Sequence, residues 1–324
     1  MRPKVLIIAI VILIAQTAYA WNATGHEAVA AIAWDNMTPK AQDRAIELLM
    51  KAPADACLLD LFPKDNRPLK VRQREYFVRA ATWPDIIRPN KDKVTGAPDP
   101  RPCVKFHKPD FHFFDHFWSG TSGATGSDAP KDRTDVPLAT TNEVERMQAF
   151  RPLVECKTGC TDSPDKQAMD LAWILHLVGD THQPLHNAGR VTTETDEKQG
   201  DRGGNLFLLD QQKGPKNLHS FWDGIVDSTI PRAAGETEQA YVTRVAGEIE
   251  QDHPKCSITD LKPGQFKAWS EEGLAIAKKI GYPESLHRNQ QAGAPYQVTV
   301  FLAADKAIAT GGYRLADLLN SMFH

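Results

Sequence analysis

Leu171-Ala-Trp-Ile-Leu175-His176-Leu-Val-Gly-Asp180-Thr-His182-Gln-Pro-Leu-His186 is the stretch on which the reading of this chain turns. Its first half continues the three- and four-residue apolar spacing of Ala168 to Val178, the pattern of a helix. His176 and Asp180 are four residues apart, so their side chains stack on one face and can approach the same ion. Pro184 ends the helix and lets His186 return to that face from a new direction. One histidine in such a run is ordinarily a hydrogen-bonded core or surface residue. Four metal-competent groups in eleven residues, on an otherwise apolar helix, are hard to explain that way, because buried His and Asp need partners.

Outward from this helix the same periodicity recurs in Glu27 to Trp34, Ala41 to Met50, Val144 to Val154, Tyr241 to Ile249, Phe266 to Ile280 and Val298 to Leu319. Strand signals are sparse. The best is Asn205-Leu-Phe-Leu-Leu209, after Gly203-Gly204 and before a Gly214-Pro215 turn, which predicts one small β-hairpin. Ser119 to Pro137 and Asn187 to Gly204, rich in Gly, Thr, Asp and Pro, are expected as long surface loops. No linker or internal repeat divides the chain. The expectation is a mainly α protein, with residues 21–324 forming one helical domain with one small hairpin.

Arg2 and Lys4 lead into eleven uninterrupted apolar residues, Val5 to Ala15, and then into Ala18-Tyr-Ala20, the small-x-small pattern cut by signal peptidase. Eleven residues fall short of the roughly 20 that a membrane-spanning helix needs. Residues 1–20 are therefore expected to be a cleaved signal, leaving a secreted or periplasmic protein with no membrane attachment. The chain carries 38 Lys and Arg against 41 Asp and Glu, a formal −3; losing the two bases of the signal leaves 36 against 41, or −5. Such a chain has no general basic surface for duplex DNA, so any phosphate it binds must be held by a local positive centre. In an oxidising compartment the five cysteines, Cys57, Cys103, Cys156, Cys160 and Cys256, are expected to form up to two disulfides with one thiol left over, in an unknown pairing.

Further stretches share the character of the central helix. Asn217-Leu-His219-Ser-Phe-Trp-Asp223 again sets His and Asp four apart. Phe111-His112-Phe-Phe-Asp115-His116 interrupts an aromatic run with ligand-type residues, and Thr82-Trp-Pro-Asp85 puts a carboxylate just after a proline. Cleavage after Ala20 would give Trp21 a free amine with a pKa near 8, able to bind zinc together with its own carbonyl, and His26 lies five residues on.

Together these segments resemble the three-zinc, single-strand-specific nuclease family of fungi, plants and bacteria, within the zinc-dependent phospholipase C and nuclease superfamily. The matching stretches run from Trp21 to Asp223. The resemblance implies one zinc on Asp85, His112, His176 and Asp180; a second on the Trp21 amine and carbonyl, His26 and the other oxygen of Asp180; and a third on His186, His219 and Asp223. It further implies a phosphate-binding arginine at Arg88 and a nucleobase-contacting pair at Phe113 and Asp115. His107, His116 and His182 receive no ligand role, with His182 expected to support its neighbour Asp180. Three Zn2+ ions bring +6 against −3 from Asp85, Asp180 and Asp223, a centre that would draw a phosphodiester. The implied activity is hydrolysis of single-stranded DNA and RNA, and of 3′-nucleotides, by a metal-activated water to products with 5′-phosphates. Two other readings compete: a zinc-dependent phospholipase C, disfavoured by Asp223 and Arg190 where those lipases look for glutamate and asparagine, and a zinc-binding protein without catalysis.

Overall fold

The computed structural model describes residues 21–90, 96–194, 200–210 and 214–324; the expected signal, 1–20, lies outside them. The chain forms α1 (Ala23–Asn36), α2 (Pro39–Leu49), α3 (Leu69–Ala80), the short α4 (Trp83–Ile86), α5 (Glu143–Glu155), α6 (Pro164–Thr181), α7 (Leu218–Asp223), α8 (Ile225–Thr229), α9 (Glu238–Asp252), α10 (Phe266–Ile276), which runs on into a π-turn, Ala277–Gly281, and α11 (Ala294–Met322). All seven apolar-periodic segments lie in helices. Their starts are set by local chemistry: Asn22, Thr38, Asn142 and Thr237 each accept a first-turn N–H with the side chain, and Pro39 and Pro164 occupy the first helical positions, where no N–H is needed. Among the described residues no helix is long and apolar enough to cross a membrane.

Two helices form the centre. In α1 every residue from Thr24 to Trp34 is buried, and in α6 every residue from Leu171 to Thr181. A helix apolar on all sides belongs inside a protein. α1 packs against α11, α9, α3 and α6, while α6 packs against α5, α2 and α4. Close approach depends on glycine. A Cβ on Gly312 of α11 would lie 2.5 Å from Ile32 Cγ2, and one on Gly179 of α6 would lie 2.5 Å from His26 Nδ1.

The sheet is small and does not fall where the sequence signal put it. Its strands are β1 (His116–Ser119), β2 (Lys131–Asp132) and β3 (Ala188–Arg190), in the order β2-β1-β3, with β1 antiparallel to β2 and parallel to β3. Residues 205–209 contribute only an isolated antiparallel bridge, Leu208 to Asn217. The ladder stops there because Asn217 begins α7, in a reciprocal cap with Ser220. Both expected surface loops thus supply sheet strands; 195–199, in the second, lie outside the described residues. The sheet ties the segment after His112 to the segment after His186, since Phe117 pairs with Gly189. Cys57–Cys103 and Cys156–Cys160 are disulfides, and Cys256 is free and exposed.

Candidate metal centre

α1 delivers His26, α4 Asp85, α6 His176 and Asp180, the turn after Pro184 His186, and α7 His219 and Asp223; His112 comes from the segment entering β1. All are buried except Asp85, which is only slightly exposed. Three sets of donor atoms fall within 4.8 Å of one another: His26, Asp85 and His176; His112, His176 and Asp180; and His186, His219 and Asp223. The first two share His176 and merge into one cluster. Asp180 divides its oxygens: Oδ1 lies 3.3 Å from His26 Nε2 and 3.9 Å from His186 Nδ1, while Oδ2 lies 3.2 Å from both His112 Nδ1 and His176 Nε2. The structure thus brings the expected histidine and aspartate ligands together. Trp21 is buried against Gly25 at the start of α1, and Asn22 N–H donates to the Asp223 carbonyl at 3.3 Å, placing the beginning of the described chain beside α7.

Backbone carbonyls orient the rings. His176 Nδ1 donates to Ala81 O at 2.7 Å, His186 Nδ1 to His112 O at 2.5 Å and His219 Nδ1 to Gly203 O at 2.7 Å. In its neutral form each ring then turns the lone pair of Nε2 to the other side. His186 Nε2 and His219 Nε2 face each other at 3.1 Å, and Asp223 Oδ2, 3.6 Å from His219 Nε2, is buried with no hydrogen-bond partner. Donor atoms converge here without hydrogen-bond partners, an arrangement that a cation stabilises. Asp180 Oδ1 and the two nitrogens of His26 are likewise buried and make no hydrogen bond. A set of imidazole nitrogens and carboxylate oxygens in this geometry fits zinc.

The electrostatics agree. Burial alone would raise the Asp180 carboxyl, but His176, His186 and His112 around it hold it well below the usual carboxylate range. Asp85 is lowered in the same way, against burial, by His176, His112 and Arg88. Burial, with His176 beside it, pushes His26 down to about 4, so this ring is neutral and free to act as a ligand near pH 7. Asp223 is raised well above its ordinary value by burial; only the Gln183 amide, donating to Oδ1 at 2.7 Å, and the more distant Arg88 oppose this. Such a carboxyl calls for a positive charge that the protein itself does not supply.

Sequence reasoning passed over three contributors. Gln183 sits between the ligands of the central run; its Oε1 accepts from Leu185 N–H, which turns Nε2 onto Asp223. Gly179 makes room for the His26 ring. Glu143, fully buried at the start of α5, has neither oxygen hydrogen-bonded, and burial, with Asp180 close by, raises its carboxyl well above the usual range. A polar residue kept inside a buried ligand run was the available signal for Gln183. His182 does not support Asp180: its Nδ1 donates to Val178 O, and its Nε2 meets Arg314 on the other side of α6. His107 lies beside His112, with ring centroids 6.2 Å apart, and His116 bonds Ser270.

Arg88, one turn after Asp85, donates from Nη2 to Asp85 Oδ1 at 2.8 Å, and both side chains remain slightly exposed at the edge of the cluster. Phe113 is half-buried and, among the described residues, stays out of the core packing that takes up Phe111 and Phe114. Asp115 is half-buried beside Gly189; burial, with Asp201 nearby, pushes its carboxyl up to about 7.

A family model described as S1/P1 Nuclease matches residues 21–324. The chain belongs to the S1/P1 nuclease family. It is 28% identical over 167 residues to Endonuclease 3 of Arabidopsis thaliana, covering 47% of this chain and 51% of that protein. It is 24% identical over 224 residues to Nuclease S1 of Aspergillus oryzae, covering 68% of this chain and 60% of that protein. The chain spans about half the length of the curated relatives it matches. S1/P1 nucleases are zinc-dependent, and the donor clusters described above are where this chain can hold such ions.

Proposed function

We propose that the mature chain is a secreted or periplasmic zinc-dependent endonuclease that hydrolyses single-stranded DNA and RNA to products with 5′-phosphates and releases phosphate from 3′-nucleotides. The observation that carries this reading is the convergence of imidazole nitrogens and unpartnered carboxylate oxygens next to an arginine and a half-buried phenylalanine outside the core packing. Three zinc ions held by Asp85, His112, His176 and Asp180, by Trp21, His26 and Asp180, and by His186, His219 and Asp223 would supply Lewis-acid charge and lower the pKa of water toward neutrality. The protein's part is positioning. Asp180 and the carbonyl-oriented rings fix the donors, and Arg88 presents a planar fork to the phosphoryl oxygens, its orientation held by Asp85. Water's oxygen bonds to phosphorus, the P–O3′ bond breaks and O3′ takes up a proton.

Selectivity comes from the base. Phe113 offers a ring face, and the Asp115 carboxyl, titrating near neutrality, can accept or donate at a base edge. A paired base could reach them only by leaving its stack. With a formal net charge of −5 once residues 1–20 are removed (36 Lys and Arg against 41 Asp and Glu), the mature chain has little else with which to hold duplex DNA.

Zinc-loaded protein assayed on end-labelled oligonucleotides should cut single strands far faster than duplexes and leave 5′-phosphate and 3′-hydroxyl ends. Arg88→Ala should lower kcat on the order of a hundredfold, as for loss of one charge-stabilising donor. Phe113→Ala should mainly weaken binding, by roughly 1–3 kcal/mol for one stacked base. Efficient cleavage of phosphatidylcholine with single strands left intact would replace the reading by the phospholipase one, and 3′-phosphate ends would overturn the bond assignment.

A further inference from the structure

A groove of about 440 Å3 opens between α10, with its π-turn, and α11, and no metal donor lines it. Its floor includes Trp269 and Ala307, both buried, and the Thr181–His182 end of α6; Ile276 and Ala303 stand in its walls. The rim is different. Lys279 and Lys306 are exposed there, and among the described residues neither ammonium group has an ion-pair or hydrogen-bond partner, whereas the neighbouring Lys278 and Lys267 are paired with Asp132 and Glu271. The one acid on the rim, Glu272, is taken by Arg314 through bonds of 2.7 and 2.9 Å. Val298 and Leu302, both exposed, lie two turns and one turn before Lys306 on the same face of α11, extending the apolar surface away from the two cations.

We propose that this groove binds an amphipathic anion, an apolar body the size of a naphthalene or a medium acyl chain carrying one sulfonate, carboxylate or phosphate head. The volume lies in the range of small-molecule pockets, roughly 300–1,000 Å3. The apolar walls take the body, and Lys279 and Lys306 take the head. The site rests on neither the metal centre nor the nuclease reading, and its test does not use turnover.

The test uses the zinc-loaded full chain and two dyes with similar apolar bodies, anilinonaphthalene sulfonate and the uncharged phenylnaphthylamine. The sulfonate should bind saturably, one per chain. Lys279→Glu with Lys306→Glu should weaken it about tenfold while leaving the neutral dye's affinity unchanged, because only the ionic contribution is lost. Ala303→Trp should abolish binding of both by filling the groove; if that variant does not fold, the lysine pair still decides. Displacement by decanoate or by decyl phosphate shows which head group the lysines prefer. Failure of the sulfonate to saturate, unchanged affinity in the double variant, or displacement by neither amphiphile would overturn the proposal.

Discussion

The two oxygens of Asp180 face different histidines, His26 and His186 on one side and His112 and His176 on the other. Its loss should therefore cost more than that of any single imidazole. Elemental analysis of Asp180→Asn should show more than one zinc lost per chain, while Asp223→Asn should lose one and keep the rest; an unchanged metal content in Asp180→Asn would refute the bridging role. Gly179 supports the same cluster by having no side chain. Gly179→Ala would drive a methyl into His26 Nδ1, which should weaken metal binding about 10–100-fold, as measured by competition with a chelator. Donors of this kind were legible one by one, because His and Asp at four-residue spacing on an apolar helix advertise themselves. Gly179 and Gln183 were not, since what they do depends on residues far away in the chain: Gln183 meets Asp223 forty positions on.

Element existence followed hydrophobic period closely where a helix has an apolar face, and less well elsewhere. α3 went unseen because Lys70, Arg72 and Arg74 fill its first half and its buried residues cluster at Tyr76, Phe77 and Val78. The strand signal at 205–209 was real as local propensity but lost to the cap that starts α7, while the true strands are too short to show a period. The α1–α11 contact gives an element-scale prediction. Gly312→Ala should destabilise the fold by about 1–3 kcal/mol through overpacking against Ile32, and it should cost less in an Ile32→Ala background, which removes the Cγ2 it meets; additive effects of the two in denaturant melts would argue against that contact. On α6, burial and neighbouring Asp162 push the carboxyl of half-buried Asp170 up to about 7. The folded chain thus holds this proton more tightly than the unfolded chain, and the contribution to stability falls as pH rises from about 4 to about 7. Asp170→Asn should lack that fall, gaining roughly 2–4 °C in Tm on the parent between those limits, a shift that thermal melts across pH would detect.

At the scale of the molecule, apolar periodicity led to one helical body and the charge balance to a local positive centre. The expected cleavage after Ala20 has a chemical consequence, because only then is the Trp21 nitrogen an amine rather than a poorly coordinating amide. A protein bearing one extra Met before Trp21, its mass confirmed, should lose most of its activity and one zinc; full activity from that form would rule out the amine as a ligand. The order of the donors along the chain matters in another way. His26, Asp85, His112, Asp180, His186 and Asp223 sit on separate segments spread over some two hundred residues, and each shared ion would tie several of those segments together. Zinc would then serve this protein as a reversible cross-linker, with the surrounding medium setting how many ties are made. Since a ligand that binds only the folded state stabilises it by RT ln(1 + [L]/Kd), the lifetime of the chain among proteases would rise and fall with the zinc around it.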